Sequence, residues 1–92
     1  MINHNLLTVG NTTPVNITSG YDSGFDATIQ NVNSAGYIYI GGPTVSSTSY
    51  GFRLAPNHAF SIELSGQDDL YVIGSSQNMN VAILLAHLEA GL

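Results

Sequence analysis

Short apolar runs punctuated by Gly, Pro, Asn and Ser recur along the whole chain, the spacing expected of a β-sandwich or barrel. Leu6–Val9 is the first run and is closed by Gly10-Asn11, and Val15–Thr18 is the second, with Val15 and Ile17 on one face. Tyr21–Asp26 is rich in turn residues and reads as a loop. Ala27–Val32 then sets Ala27 and Ile29 against Thr28 and Gln30, which predicts a half-buried strand. Asn33–Gly36 reads as a hairpin connection into Tyr37–Ile40, where Ile38 and Ile40 point inward and Tyr37 and Tyr39 point outward or toward a partner. Gly41-Gly42-Pro43 ends that strand, and a polar stretch, Thr44–Tyr50, leads to Gly51–Leu54. After a turn at Pro56-Asn57, Phe60–Leu64 is the cleanest alternation in the chain. Leu70–Ile73 follows the turn Ser65–Asp69.

Val81–Leu88 carries two signals. Its first half favours strand, while Leu84, Leu85, Leu88 and Leu92 also fit a helical stripe; strand is expected to about Ala86. About seven or eight short strands result, with no internal helix. They predict an all-β fold: a small antiparallel β-sandwich of jelly-roll or Greek-key type, with a short barrel as the alternative. Residues 1–20 are expected to form an N-terminal arm or edge strands, and residues 21–92 the sandwich domain.

Composition narrows the function. The chain has 92 residues, enough for one domain with a thin core and no deep enclosed pocket. It has no cysteine, so neither a disulfide nor a thiolate site is available, and oligomerisation is one remedy for so small a core. Only 8% of its residues are charged, and Arg53 is the one basic residue against six carboxylates. Nucleic acid and anionic membranes are bound by clusters of Lys and Arg, so neither is an expected partner. Met1–Asn5 lacks a basic leader and the longest apolar stretch is Val81–Ala86, so no signal peptide or membrane span is expected.

The candidate chemistry is sparse. His4, His58 and His87 lie in unrelated contexts. Asp68-Asp69 and the pair Asp22/Asp26 have too few converging oxygens for calcium, which needs six to eight. Gly41-Gly42-Pro43-Thr44 lacks the lysine of a phosphate loop, and Pro43 removes a backbone donor. No catalytic residue, metal ligand or cofactor is expected. Arg53, by contrast, has a planar fork suited to a specific ion pair within the chain or across an interface. Outward tyrosines suit interface anchors.

Tyr37–Pro56, with Phe60–Leu64, Asp69–Ile73 and Val81–Leu85, resembles small structural proteins of tailed bacteriophages described as head decoration (cementing) or head-fibre proteins. The shared pattern is strand, Gly-Gly, a Ser/Thr-rich crossing, Gly-aromatic-x-Leu, an acidic turn, Leu-Tyr and a closing apolar strand. It covers about Ala35–Ala86; the first thirty or so residues match nothing in it. The resemblance implies a β-sandwich homotrimer, made in the host cytoplasm, that sits on the capsid exterior and reinforces contacts between major capsid protein subunits. The alternative is a tail or fibre-tip module that recognises a host-surface carbohydrate through exposed tyrosines. Candidate interface residues are Leu6, Val9, Tyr37, Tyr39, Tyr50, Arg53 and Leu88, with the N-terminal segment pairing to a neighbour or fraying. EDTA is expected to leave both the melting temperature and particle binding unchanged. A fall of several degrees that calcium reverses would instead establish an aspartate site.

Overall fold

The computed structural model describes residues 2–17, 25–64 and 69–87. Eight strands run in chain order: β1 (Ile2–Val9), β2 (Val15–Asn16), β3 (Phe25–Asn31), β4 (Ile38–Gly41), β5 (Phe52–Leu54), β6 (Ala59–Leu64), β7 (Tyr71–Gly74) and β8 (Met79–His87). They form two four-stranded antiparallel sheets, sheet A in the order β1-β8-β3-β6 and sheet B in the order β2-β7-β4-β5. That interleaving is the jelly roll. The expected sandwich is therefore the fold, and the barrel is not.

The topology corrects two readings of the connections. Among consecutive strands only β4 and β5 share a sheet; each of the other connections passes from one sheet to the other. Asn33–Gly36 is thus no hairpin turn but part of the crossing from β3 to β4. Conversely, the Ser/Thr-rich stretch between β4 and β5 is no crossing. It is the one hairpin loop, closed by Tyr39↔Arg53 and Ile40↔Phe52 pairing. Short Gly-containing connectors serve both purposes, and alternation along a strand does not encode its partner.

The core lies between the sheets. Sheet A contributes Val9, Ala27, Ile29, Leu64, Met79, Val81, Ile83 and Leu85, and sheet B contributes Ile38, Ile40, Leu54 and Val72, with Ile17 and Leu70 beside them. Alternation decides each strand's face. In β6, Phe60, Ile62 and Leu64 turn inward while Ser61 and Glu63 face water. The two signals in the last segment are resolved by pairing: β8 has β1 on one side and β3 on the other, so its period is two and it stays a strand to His87. Val9 belongs to this core at 2% exposure, so it is not available as an interface residue. Within the first twenty residues, β1 and β2 are each one of the two edge strands of their sheet, and β1 pairs with β8 of its own chain.

One inward position of β3 is polar. Asn31 continues the series Ala27, Ile29 and is 0% exposed. Its side-chain amide donates to the Leu54 carbonyl at 3.0 Å and the Gly36 carbonyl at 3.1 Å. Its side-chain oxygen accepts from the Asn33 backbone N–H at 3.0 Å and the Asn33 amide at 2.8 Å. Asn33 in turn brackets Asn80, donating to its carbonyl at 2.8 Å and accepting from its N–H at 2.9 Å. Gly36 completes the crossing with φ at 88°, where a Cβ would lie 2.7 Å from Met79 Cε.

Asn31→Ala is expected to cost roughly 2–4 kcal/mol, because it removes the donor to the buried Leu54 carbonyl and to the half-buried Gly36 carbonyl. Asn31→Leu refills the space but not the hydrogen bonds, so its urea midpoint is expected to stay low. Recovery to the parental midpoint would mean that Asn31 acts by packing alone.

Candidate protein-binding surfaces

Two surfaces carry the residues singled out from the sequence. The first is the outer face of sheet B. Tyr39 faces outward, as alternation requires, yet it is only 8% exposed, because the β4–β5 loop folds back over it. Val45, in that loop, packs with Tyr39, Ile73 and Tyr71 as a second small core outside the sheet. Serines hold the loop in shape: Ser46 N–H donates to the Ser49 carbonyl at 2.7 Å, and Ser46 Oγ accepts from Ser49 N–H at 3.1 Å. Gly51 N–H bonds the Ile40 carbonyl at 2.8 Å and closes the loop's base. Gly41 leaves room for Val45, whose Cγ2 would lie 3.1 Å from a Cβ there.

Around this covered centre the sequence candidates converge. The Tyr50 ring lies 4.9 Å from that of Tyr39 at a 39° tilt, and the Tyr37 ring lies 6.5 Å from it. The Arg53 guanidinium carbon sits 4.6 Å from the centroid of the Tyr37 ring, a cation–π contact. The fork's partner here is thus an aromatic face of its own chain. Tyr37, Tyr50 and Arg53 remain exposed, whereas Tyr39 cannot serve as an outward anchor.

The second surface is the outer face of sheet A. Leu6 on β1 is 63% exposed and Leu84 on β8 is 45% exposed. Pairing sets Leu6 against Ala82 and His4 against Leu84, while β3 places Thr28 beside Leu84 and Gln30 beside Ala82. These residues line a shallow, mostly apolar depression of about 330 Å³. The other half of the same face is polar: Asp26 pairs with Glu63 and Thr28 with Ser61, whose hydroxyls lie 2.9 Å apart. Leu6 therefore sits far from the tyrosine group, on the opposite sheet, and Leu88 lies outside the described residues.

Sequence reasoning missed a third feature, at the mouth between β5 and β6. Phe52, exposed, meets Phe60 with ring centroids 4.4 Å apart, and Ile40, Ile62 and Leu70 line a hollow of about 390 Å³ beside them. Its signal was present: Phe52 has the same phase in β5 as the buried Leu54.

Among the described residues, no three His, Cys, Asp or Glu side chains converge as metal ligands. Asp69 is exposed, while Asp22 and Asp68 lie outside the described residues. Among the described residues no helix is long and apolar enough to cross a membrane.

No protein-family model matches this chain, and no curated protein does. Among the solved structures that are similar is one matched across 97% of this chain and 87% of its own, with a TM-score of 0.54 at 12% identity. It comes from work on Bacillus endospore appendages, described as a family of disulfide-linked pili. At that identity the likeness speaks for the β-sandwich fold alone. The disulfides belong to those pili; the present chain has no cysteine.

Val45→Ala is expected to lower stability by about 2 kcal/mol through the cavity left over Tyr39 and Ile73. Arg53→Ala, which removes an exposed cation–π contact, is expected to cost less than half of that. Urea unfolding of both variants measures the order. An Arg53→Ala loss equal to that of Val45→Ala would make the guanidinium part of the fold's support.

Proposed function

We propose that this chain is a bacteriophage capsid decoration protein, which binds the outer surface of the head lattice and stabilises it through protein–protein contacts. The observation that carries this reading is the apolar half of sheet A's outer face, where Leu6, Ala82 and Leu84 form a stripe open to solvent. Contiguous exposed apolar surface on a small soluble domain marks a contact surface. Jelly rolls recur among viral capsid domains, and the resemblance over Ala35–Ala86 points to the head exterior. The likeness to a pilus protein is compatible with a structural role.

The major capsid protein is the proposed partner. Its lattice would receive the stripe of Leu6, Ala82 and Leu84, with Thr28 and Gln30 supplying hydrogen bonds at the border. Each contact is modest, and strength comes from number: many copies spanning subunit seams add their burial over the particle. The carbohydrate-recognition alternative needs a free aromatic platform. Here Arg53 covers one face of Tyr37, Tyr39 is roofed by the loop, and Tyr50 already stacks on Tyr39, so the geometry favours the protein contact.

Leu84→Glu places a charge in the stripe without touching the core. The variant is expected to keep its far-UV circular dichroism and lose about tenfold or more in head occupancy, some 1.4 kcal/mol. Host adsorption by the particles is expected to stay unchanged, and cryo-EM of parental particles to show copies over the whole head. Full occupancy by the variant, or protein found at the tail alone, would overturn the reading.

A further inference from the structure

We propose that two copies of this chain pair edge to edge through β1, antiparallel, about a two-fold axis at Leu6. Each sheet has two edge strands, and an edge is a template for another strand unless something guards it. Three of the four edges are guarded. β2 has two residues. β5 has three, carries Arg53 and is soon followed by Pro56. β6 carries Glu63, whose neighbour across the pair is Asp26, so two acidic copies meeting there would oppose like charges.

Among the described residues β1 has no such guard. Its eight residues pair one-to-one with β8 from Ile2↔Ala86 to Val9↔Met79, without a bulge that would twist the edge away. It holds no proline, carboxylate, Lys or Arg. On a chain of formal charge −5, self-association costs least where carboxylates are absent. β1 also presents Leu6, the most exposed of the large hydrophobic residues described.

The register follows from the pleat. Directly opposed residues in an antiparallel pair point to the same face, so Leu6 can oppose the second copy's Leu6 on the outer side, with His4 opposite the second copy's Thr8. Sheet A then runs on without a break into that of the second copy. The pairing is isologous, using the same edge on both copies, so it closes at two and does not propagate into a fibre. The trimer implied by the phage resemblance would need β1 to meet a different surface, and the other free edge of sheet A is the acidic one. The inference does not depend on what the outer face binds.

Sedimentation velocity of the full chain at about 50 µM is expected to give a dimer mass, because edge pairing with apolar contact supports micromolar association. The chain has no cysteine, so one introduced thiol reports one position. Opposed Cα atoms about 4.5–5.5 Å apart fall within disulfide reach. Leu6→Cys is expected to oxidise to a covalent dimer much faster than Phe52→Cys, an exposed control on the other sheet. Leu6→Lys is expected to sediment as a folded monomer by circular dichroism. A monomer or trimer mass for the parental chain, or equal crosslinking at both positions, would overturn the pairing. Leu84→Glu, off the edge, keeps the dimer whether or not it binds heads, so this test and the head-occupancy test fail separately.

Discussion

At Asn31 the two sheets are joined by a buried polar side chain rather than by apolar contact. Its amide reaches from β3 in sheet A to the Leu54 carbonyl in sheet B and to Gly36 in the crossing between them. Apolar packing alone specifies a sandwich loosely: a strand that slips by two residues keeps every side chain on its proper face. Such a slip of β3 would carry Asn31 away from Leu54 and Gly36 and leave buried polar groups unpaired, at a cost apolar contacts do not replace. The network is complete, since no buried side-chain polar atom among the described residues lacks a partner. Through Asn33 it also holds Asn80, next to the buried Met79 that packs over Gly36. The register of β3, β5 and β8 is thus fixed at one end of the sandwich, and Phe52 meets Phe60 close by, between β5 and β6.

That fixed register determines the outer surface. With β8 locked between β1 and β3, Leu84 and Ala82 must face outward beside Leu6, and Asp26 must face outward beside Glu63. One face is thereby divided into an apolar half and an acidic half. With 8% charged residues, the chain has little other charge with which to break up the apolar half. On the opposite sheet the outcome differs because the β4–β5 loop covers Tyr39 and Ile73 with Val45. Sheet B shields its outward apolar residues with its own loop, and among the described residues no loop of that kind lies over Leu6 and Leu84.

Much of this was legible in the sequence, for a definite reason. Phe60–Leu64 and Ala27–Val32 alternate strictly, and period two names both the element and its inward face. Phase was lost where two apolar residues adjoin. Leu6 and Leu7 leave the face of β1 undecided, and so Val9 passed for a surface residue when it is in the core. Tyr39 was given the correct face, but where a loop comes to rest is not written in periodicity, and Val45 in a polar run gave no sign that it would bury that ring. Nothing in the sequence singles out Asn31 near the end of its strand. Its role is visible only once Leu54, twenty-three residues away, is brought opposite. Strand identity is local information; partner choice and burial of polar groups are not.

The order of strands adds a last constraint. β1 is the first strand and β8 the last, yet they pair along eight residues, so β1 has no partner in its own chain until β8 is in place. Contacts between such distant segments carry a loop-closure cost and form late. β8 has β3 to dock on; β1, at the rim, is hydrogen-bonded in its sheet to β8 and is otherwise held by the side chains that reach the core, Val9 foremost. An edge strand is hydrogen-bonded along one side only, so its opening breaks one ladder rather than two. Any partner that hydrogen-bonds the free side of β1 would bind the closed form in preference to the opened one, and so would stabilise the β1–β8 pair by mass action. The strand that completes the fold and the strand with a free edge are the same one, so association through β1 would couple assembly to stability through eight residues.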